Sequence, residues 1–271
     1  MRIGLIAGSG QFPLIFSEKA RAKGYRVFAA ALLKETDPEL ERRVDGIQWL
    51  HLGQLGKLIR FFKKNDVNQA VMMGAIEKTR MLRDIRPDLK LFSIIGALKN
   101  SHDDRVLRAC ADVLKKDGIE ILASTFLLPE ILAPEGCWTK RKPTKYEEEH
   151  IELGWQMAKE IGRLDIGQCI VMGDWSVLAV EAVEGTDETI RRAGKLASGN
   201  AVVVKTCKPN QDLRFDIPAI GVQTIETMSE AGATVLVVEA GKAVVFNRKE
   251  MIEFADRSGI AIVALNHRDM Q

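Results

Sequence analysis

The segment Lys205 to Gly221, KTCKPNQDLRFDIPAIG, carries Lys205, Lys208, Asp212, Arg214 and Asp216 without the periodicity that would place them on one face of a helix or strand. Cations of this kind hold phosphate oxygens, and carboxylates beside them hold a divalent metal or orient a water. The mixture suits cleavage of a phosphate ester or anhydride. Pro209 and Pro218 remove backbone donors and bar regular structure from its middle. Before it, the β-branched run Ala201 to Val204 reads as a strand; after it, Ile220 to Ala231 reads as apolar and then helical. An ordered functional loop or a bent edge is therefore expected here.

Three glycine-bearing turns are the next candidates. Ala7-Gly8-Ser9-Gly10 lies between an expected strand and an expected helix, where its amides can receive a pyrophosphate and Ser9 can add a hydrogen bond. Pro13 replaces the third glycine of the dinucleotide fingerprint, and a turn that needs glycine for backbone reasons alone is the competing reading. Gly53-Gln54-Leu55-Gly56-Lys57 resembles the end of a phosphate loop, but the spacing is short and Leu58 follows. Lys57 reads equally well as a solvated helix residue. Gly74 opens the third turn. Asp103-Asp104 sits at a helix start, where capping and helix-dipole compensation compete with a metal role. His51, His150 and His267 lack ligand spacing. Glu77 to Lys90 interleaves bases with Met81, Leu82 and Ile85, which suits anionic headgroups or acyl chains as well as an ordinary amphipathic connection.

The elements that must position these residues alternate. Arg2 to Ala7, Arg26 to Leu32, Ile47 to Leu52, Gln69 to Met73 and Ile119 to Leu122 read as strands, with helices over Phe12 to Lys23, Gln54 to Lys64 and Asp103 to Lys116. This predicts a Rossmann-like doubly wound parallel sheet over residues 1–133, with the glycine turns at the carboxyl ends of its strands. Prolines and bases from Pro129 to Tyr146 mark a boundary, with a linker at 134–146. Residues 147–271 read as a second, catalytic α/β domain. Its expected helices lie near Glu147 to Ile161, Asp187 to Leu196 and Arg248 to Arg257. Strands are expected at Gln168 to Met172, Val177 to Ala182, Thr234 to Glu239, Ala243 to Phe246 and Ile260 to Leu265, with a turn at Ala240-Gly241-Lys242 joining two of them. Glycine turns in one half and the charged loop in the other lead to the expectation that both halves build the site.

Composition excludes several classes. The 271 residues are 46% hydrophobic and 28% charged, ordinary for a globular protein, and a net charge of +2 does not mark a nucleic-acid binder. No stretch approaches the length of a membrane span, and the apolar run after Arg2 is too short for a signal peptide. Cys110, Cys137, Cys169 and Cys207 form no C-x-x-C pair, which points to a reducing cytoplasm rather than to disulfides or zinc.

The charged loop, read as K-x-x-K-P-x-Q-D-x-R-x-D-x-P-x-x-G, resembles that of the UDP-2,3-diacylglucosamine pyrophosphatases of lipid A biosynthesis, the LpxI type. So, in order, do Ile3 to Gly10 with Pro13, Gly53-x-x-Gly56-Lys57, Asp103-Asp104, Gly162-Arg163-Leu164-Asp165-Ile166-Gly167-Gln168 and Val180-Glu181-Ala182-x-Glu184-Gly185-Thr186-Asp187. The resemblance implies Mg²⁺-dependent hydrolysis of UDP-2,3-diacylglucosamine to UMP and 2,3-diacylglucosamine 1-phosphate (lipid X), with Asp216 required. Asp216 would ligate the metal, with Asp104 a second ligand, or orient the attacking water. Lys205, Lys208 and Arg214 would stabilise charge on the anhydride. Gly8, Ser9, Gly10, Gly53, Lys57, Gly74 and Thr186 would contact the substrate. A cytoplasmic protein touching the inner-membrane surface is implied, with no nucleic-acid partner and a homodimer left open. Two rival readings compete with this one. A nucleotide-cofactor oxidoreductase needs an acid closing the second strand, and Ala30 to Leu33 supplies none before Glu35. A non-catalytic nucleotide-sugar sensor leaves the charged loop without purpose.

Overall fold

The computed structural model describes residues 1–76, 85–97, 103–209, 211–215 and 217–266, with backbone only at 95–97 and 103–105. The chain forms two compact units: Met1–Pro129 joined by residues 212–215, and Glu130–Gln211 joined by the chain from Ile217 onward.

In the first unit, β1 (Arg2–Ala7), β2 (Arg26–Leu32), β3 (Gly46–Leu50), β4 (Gln69–Met73) and β5 (Glu120–Leu122) form a parallel sheet in the order β3-β2-β1-β4-β5. Strands β1 and β2 are apolar and buried almost without alternation, as strands covered on both faces must be. The covering helices are α1 (Phe12–Ala22), α2 (Leu55–Lys64), α3 (Leu89–Ala97) and α4 (Asp103–Lys116). Helix α2 turns Leu55, Leu58, Ile59 and Phe62 onto the sheet, where they join Ile6, Phe28, Ala70 and Leu114 in one core. This is the expected Rossmann-like arrangement. Strand order reverses between β1 and β4, the place where such sheets usually open a crevice.

Here that crevice is closed by backbone. Ser9 and Ala75 bridge the two strand ends, with Ser9 N–H donating to Ala75 O (2.8 Å) and Ala75 N–H to Ser9 O (3.2 Å). A Cβ on Gly8 would stand 2.4 Å from Ala75 O, and one on Gly74 would stand 2.5 Å from Ser9 O. Both glycines are therefore demanded by the close approach of two main chains.

The second unit is built on a mixed sheet. In the order β6-β13-β11-β9-β7-β8 it contains β6 (Gly136–Cys137), β7 (Cys169–Gly173), β8 (Ser176–Val180), β9 (Ala201–Lys205), β11 (Ala233–Glu239) and β13 (Ala261–Leu265). Strands β9, β11 and β13 run parallel, while β6, β7 and β8 pair antiparallel. The period of two decides which helix covers which face. Val202 and Val204 join Val235 and Val237 under Ile151, Trp155 and Ala158 of α5 (Lys145–Arg163). Val203, Leu236 and Ile262 face the opposite way, toward α6 (Thr186–Gly194), α7 (Val222–Glu230) and α8 (Arg248–Arg257).

Three expectations need adjusting. The turn at Ala240 to Lys242 does not make a hairpin: β12 (Val244–Val245) pairs in parallel with β10 (Ala219–Ile220), apart from the main sheet. Helix α5 begins earlier than read, because Thr144 accepts the Glu147 amide and Glu147 reaches back to the Thr144 amide, a capping box. Residues 134–146, expected as a linker, belong to the second unit, and Gly136–Cys137 lies on the edge of its sheet beside β13.

Because the Gly8 clash is with backbone, which cannot swing aside, Gly8→Ala is expected to cost about 1–3 kcal/mol. Thermal unfolding of the variant beside Gly10→Ala separates this close approach from φ strain. Gly10 has φ +88° and open space around its Cβ position, so its replacement should cost only about 1 kcal/mol.

Candidate active site

The part of the charged segment that belongs to the second unit grows out of β9. Lys205 is the last residue of that strand and only 6% exposed; its ammonium donates to Ala219 O at 2.8 Å, tying the two stems of the loop together. Two residues on, Cys207 is held by both of its backbone polar groups. Its N–H donates to Glu239 Oε2 (3.0 Å), and its carbonyl accepts from Lys159 Nζ (3.0 Å). Lys159 also donates to Glu239 Oε2, and Lys242 donates to Oε1 at 2.8 Å.

Glu239 ends the apolar strand β11 and is 2% exposed. Burial alone would push its carboxyl up. Donation from Lys159 and Lys242, the Lys159 charge and the Cys207 amide outweigh that and hold it below its ordinary value of 4.5.

The hydrogen bonds continue outward. Gln211 Oε1 accepts from the Lys208 amide (2.8 Å) and from Cys207 Sγ (3.1 Å), while its Nε2 donates to Gln168 Oε1 (3.3 Å). The Gln168 amide donates to Glu181 Oε2 (3.1 Å), and Thr186 Oγ1 donates to Glu181 Oε1 (3.0 Å). Lys208 Nζ meets Asp165 Oδ1 at 2.6 Å. The G-R-L-D-I-G-Q run, the E-A-x-E-G-T-D run and the start of the charged loop are thus one polar network. In it the Thr186 hydroxyl serves the protein's own Glu181.

Residues 212–215 belong to the first unit. Arg214 donates to Asp212 through Nε (2.9 Å) and Nη2 (2.7 Å), with its amide a third donor at 3.2 Å, and Arg108 Nε lies 3.6 Å from the same carboxylate. These bonds from Arg214 lower the Asp212 carboxyl and raise the Arg214 guanidinium. Leu213 O accepts from the amide and hydroxyl of Ser124, and Phe215 packs on the core below with the guanidinium over its ring at 4.8 Å. A tight, charge-paired turn results.

The other expected residues are placed as follows. Ser9 Oγ gives its proton to Ala75 O (2.8 Å). The amide of Gly56 is taken by Asp88 Oδ2 (2.6 Å), which caps α2 from downstream, and Gly53 O accepts from the Asp88 amide. Lys57 is exposed on α2. Asp216, the Asp104 carboxyl, His102, His267 and most of the Glu77 to Lys90 stretch lie outside the described residues. His150 is buried, with Nδ1 against Tyr146 O (2.7 Å) and Nε2 accepting from the Trp175 amide (3.0 Å), a packed histidine. Among the described residues no three His, Cys, Asp or Glu side chains are grouped to hold a metal, so these residues alone do not form a magnesium site.

Sequence reading missed Lys159 and Glu239, and gave Gln211 a place in the loop motif but no role. A signal existed for Glu239, an acid closing the run Val235-Leu236-Val237-Val238, because a carboxylate at the end of a buried strand must find cations.

Two family models match the chain: the LpxI N-terminal domain over residues 2–131 and the LpxI C-terminal domain over residues 134–263. A relative from Caulobacter vibrioides, UDP-2,3-diacylglucosamine pyrophosphatase LpxI, is 34% identical over 280 residues, covering 99% of each chain. Among solved structures, phosphoribosylglycinamide synthetase from Anaerococcus prevotii aligns at 12% identity over 74% of this chain and 44% of that one, with a TM-score of 0.26. N5-carboxyaminoimidazole ribonucleotide synthetase from Thermotoga maritima aligns at 14% identity over 68% and 42%, with a TM-score of 0.24. Likeness of that degree carries no argument.

Lys159→Met leaves the buried Glu239 carboxylate with a single, largely exposed cation, and is expected to cost about 3 kcal/mol in unfolding free energy. The pH dependence has a definite sign. A carboxyl held below 4.5 in the folded state stabilises the fold above that pH, and this contribution is lost as pH falls through 4.5 toward the folded-state value. Glu239→Gln should therefore be less stable than the parent at neutral pH and lose less on acidification. Urea unfolding of both between pH 7 and 3 checks this.

Proposed function

The chain belongs to the LpxI family, and from that membership we propose that it hydrolyses the pyrophosphate bond of UDP-2,3-diacylglucosamine, releasing UMP and 2,3-diacylglucosamine 1-phosphate in lipid A biosynthesis. One structural observation supports it above the rest. Two of the motifs that resemble the family's, Gly162 to Gln168 and Val180 to Asp187, supply residues tied by hydrogen bonds into the base of the charged loop. A non-catalytic sensor would have no use for a loop held so firmly at its stem.

In this reading Lys208 and Arg214 stabilise charge on the anhydride oxygens, where a fixed cation favours the transition state over the less charged ground state. The Lys205 ammonium, buried and donating to Ala219 O, fixes the loop's two ends and supports the other two cations. Asp216 orients the attacking water or ligates a divalent ion. Magnesium dependence, with Asp216 and Asp104 as ligands, belongs to the proposal on the family resemblance alone. So do peripheral contact with the inner-membrane surface and a homodimer.

The decisive assay is UMP release from UDP-2,3-diacylglucosamine. Turnover is expected with Mg²⁺, lost on chelation and restored by the metal; turnover that survives exhaustive chelation removes the metal from the scheme. Asp216→Asn keeps the side-chain shape and removes the charge, so activity should fall by at least about a hundredfold with unfolding unchanged. Near-parental activity would take Asp216 out of the mechanism. UDP-N-acetylglucosamine should be a far poorer substrate, since each acyl CH₂ removed from water contributes about 0.8 kcal/mol. Equal kcat/KM for both substrates would exclude a lipid pocket.

A further inference from the structure

A cavity of about 900 Å³ opens over the carboxyl ends of β1, β2 and β3, and none of its walls comes from the charged loop. Its size is that of a small-molecule site. Its place follows from the closed crevice: with β1 and β4 sealed together at Ser9 and Ala75, the room lies on the other side of β1. Its walls are Gly10 and Gln11 after β1, the stretch from Leu33 to Pro38 after β2, and Trp49 of β3.

We propose that this cavity binds the uridine half of the nucleotide substrate. The inference rests on the function proposed above and adds where the nucleoside goes. Trp49 is half-buried in the edge strand and offers an aromatic wall against which a pyrimidine can stack. Leu33 is 39% exposed, and its place on the cavity wall gives that apolar surface a use.

Glu35 and Asp37 follow β2, the strand after which nucleotide-binding parallel sheets place an acid against ribose. Carboxylates are acceptors only, and a ribose diol supplies two donors. Read by sequence, Glu35 comes too late to close β2. The fold brings it back to the wall, because Thr36 between the acids is buried and bridges the strands, accepting from the Leu32 amide (2.9 Å) and donating to Ala7 O (2.5 Å).

The chemistry selects the nucleoside over the other end of the substrate. Two acyl chains need a broad apolar cleft, whereas the large apolar side chains here are Leu14, Leu33 and Trp49, beside Lys34, Glu35 and Asp37. A diphosphate leaving the ribose has the Gly10-Gln11 backbone beside it, at the start of α1, a helix of 11 residues with no acidic residue in its first turn.

Titration calorimetry with UMP as the probe tests this on the full chain. Wild type should bind UMP, Trp49→Ala should bind it about tenfold or more weakly, and Trp49→Phe should recover most of the affinity. Wild type should also prefer UMP to 2′-deoxy-UMP, with that preference reduced in Asp37→Asn and Glu35→Gln. Asparagine keeps the cap that Asp37 gives the Glu39 amide, so the Asp37 variant reads ribose recognition even if Trp49→Ala fails to fold. No UMP binding by wild type at millimolar concentration overturns the proposal, as does UMP affinity unchanged in Trp49→Ala together with deoxy preference unchanged in both acid variants. Failure here with UMP release intact would reject the pocket and leave the hydrolase standing. Trp49-dependent UMP binding without hydrolysis would do the reverse.

Discussion

A buried carboxylate must be neutralised or it will not stay charged, and Glu239 shows what that requirement organises. One of its oxygens accepts from Lys159 and from the Cys207 amide, and the other accepts from Lys242. Lys159 then has a donor left for the Cys207 carbonyl. The electrostatic demand of a single acid at the end of β11 thus clamps one residue of the neighbouring strand's exit on both of its backbone polar groups. The loop that carries the charged residues starts from that residue. An apolar pair of similar size would stabilise the unit at least as well, since buried ion pairs rarely gain over good packing. It would not hold Cys207 in place. Position, more than stability, is what the ion pair contributes.

The first unit shows a complementary economy, in which backbone fills the place that a ligand occupies in other doubly wound sheets. Gly8 and Gly74 lack side chains so that β1 and β4 can meet, and Asp88 takes the Gly56 amide that a phosphate loop would keep open. Two of the three glycine turns thus have structural reasons sufficient in themselves. Only Gly10 both lies beside a cavity and has open space where a side chain would stand.

The sequence was informative where one periodicity ran uninterrupted. The apolar runs of β1, β2, β4 and β11 were legible because burial on both faces leaves no other composition. The pairing of β12 with β10 was not, since two-residue strands carry no period and the turn at Gly241 is compatible with either partner. The site was legible as a set of residue types in one loop, but their partners were not. Asp165, Gln168 and Glu181 lie far away in sequence and meet the loop only through the fold. Trp49 gave no signal, and Glu35 read only as an acid too late to close β2, because a cavity wall is a property of three strand ends together.

The loop's cations are already engaged within the protein, and that bears on how it would meet an anhydride. Lys208 lies against Asp165 and Arg214 holds Asp212 through two parallel bonds. An unengaged cation in a mobile side chain pays rotamer entropy and loses hydration when a phosphate arrives. A cation already ordered by a carboxylate has met much of both costs, and the phosphate need only displace or share the acid. The exchange favours a ligand with more charge than the carboxylate it competes with, so the pairing screens out weak anions. Asp212 is held ionised by the same contact, and in the proposed reaction its charge would keep the guanidinium oriented until the anhydride competes for it. In the proposed reaction Asp165 and Asp212 would thus act on the substrate through the cations they position.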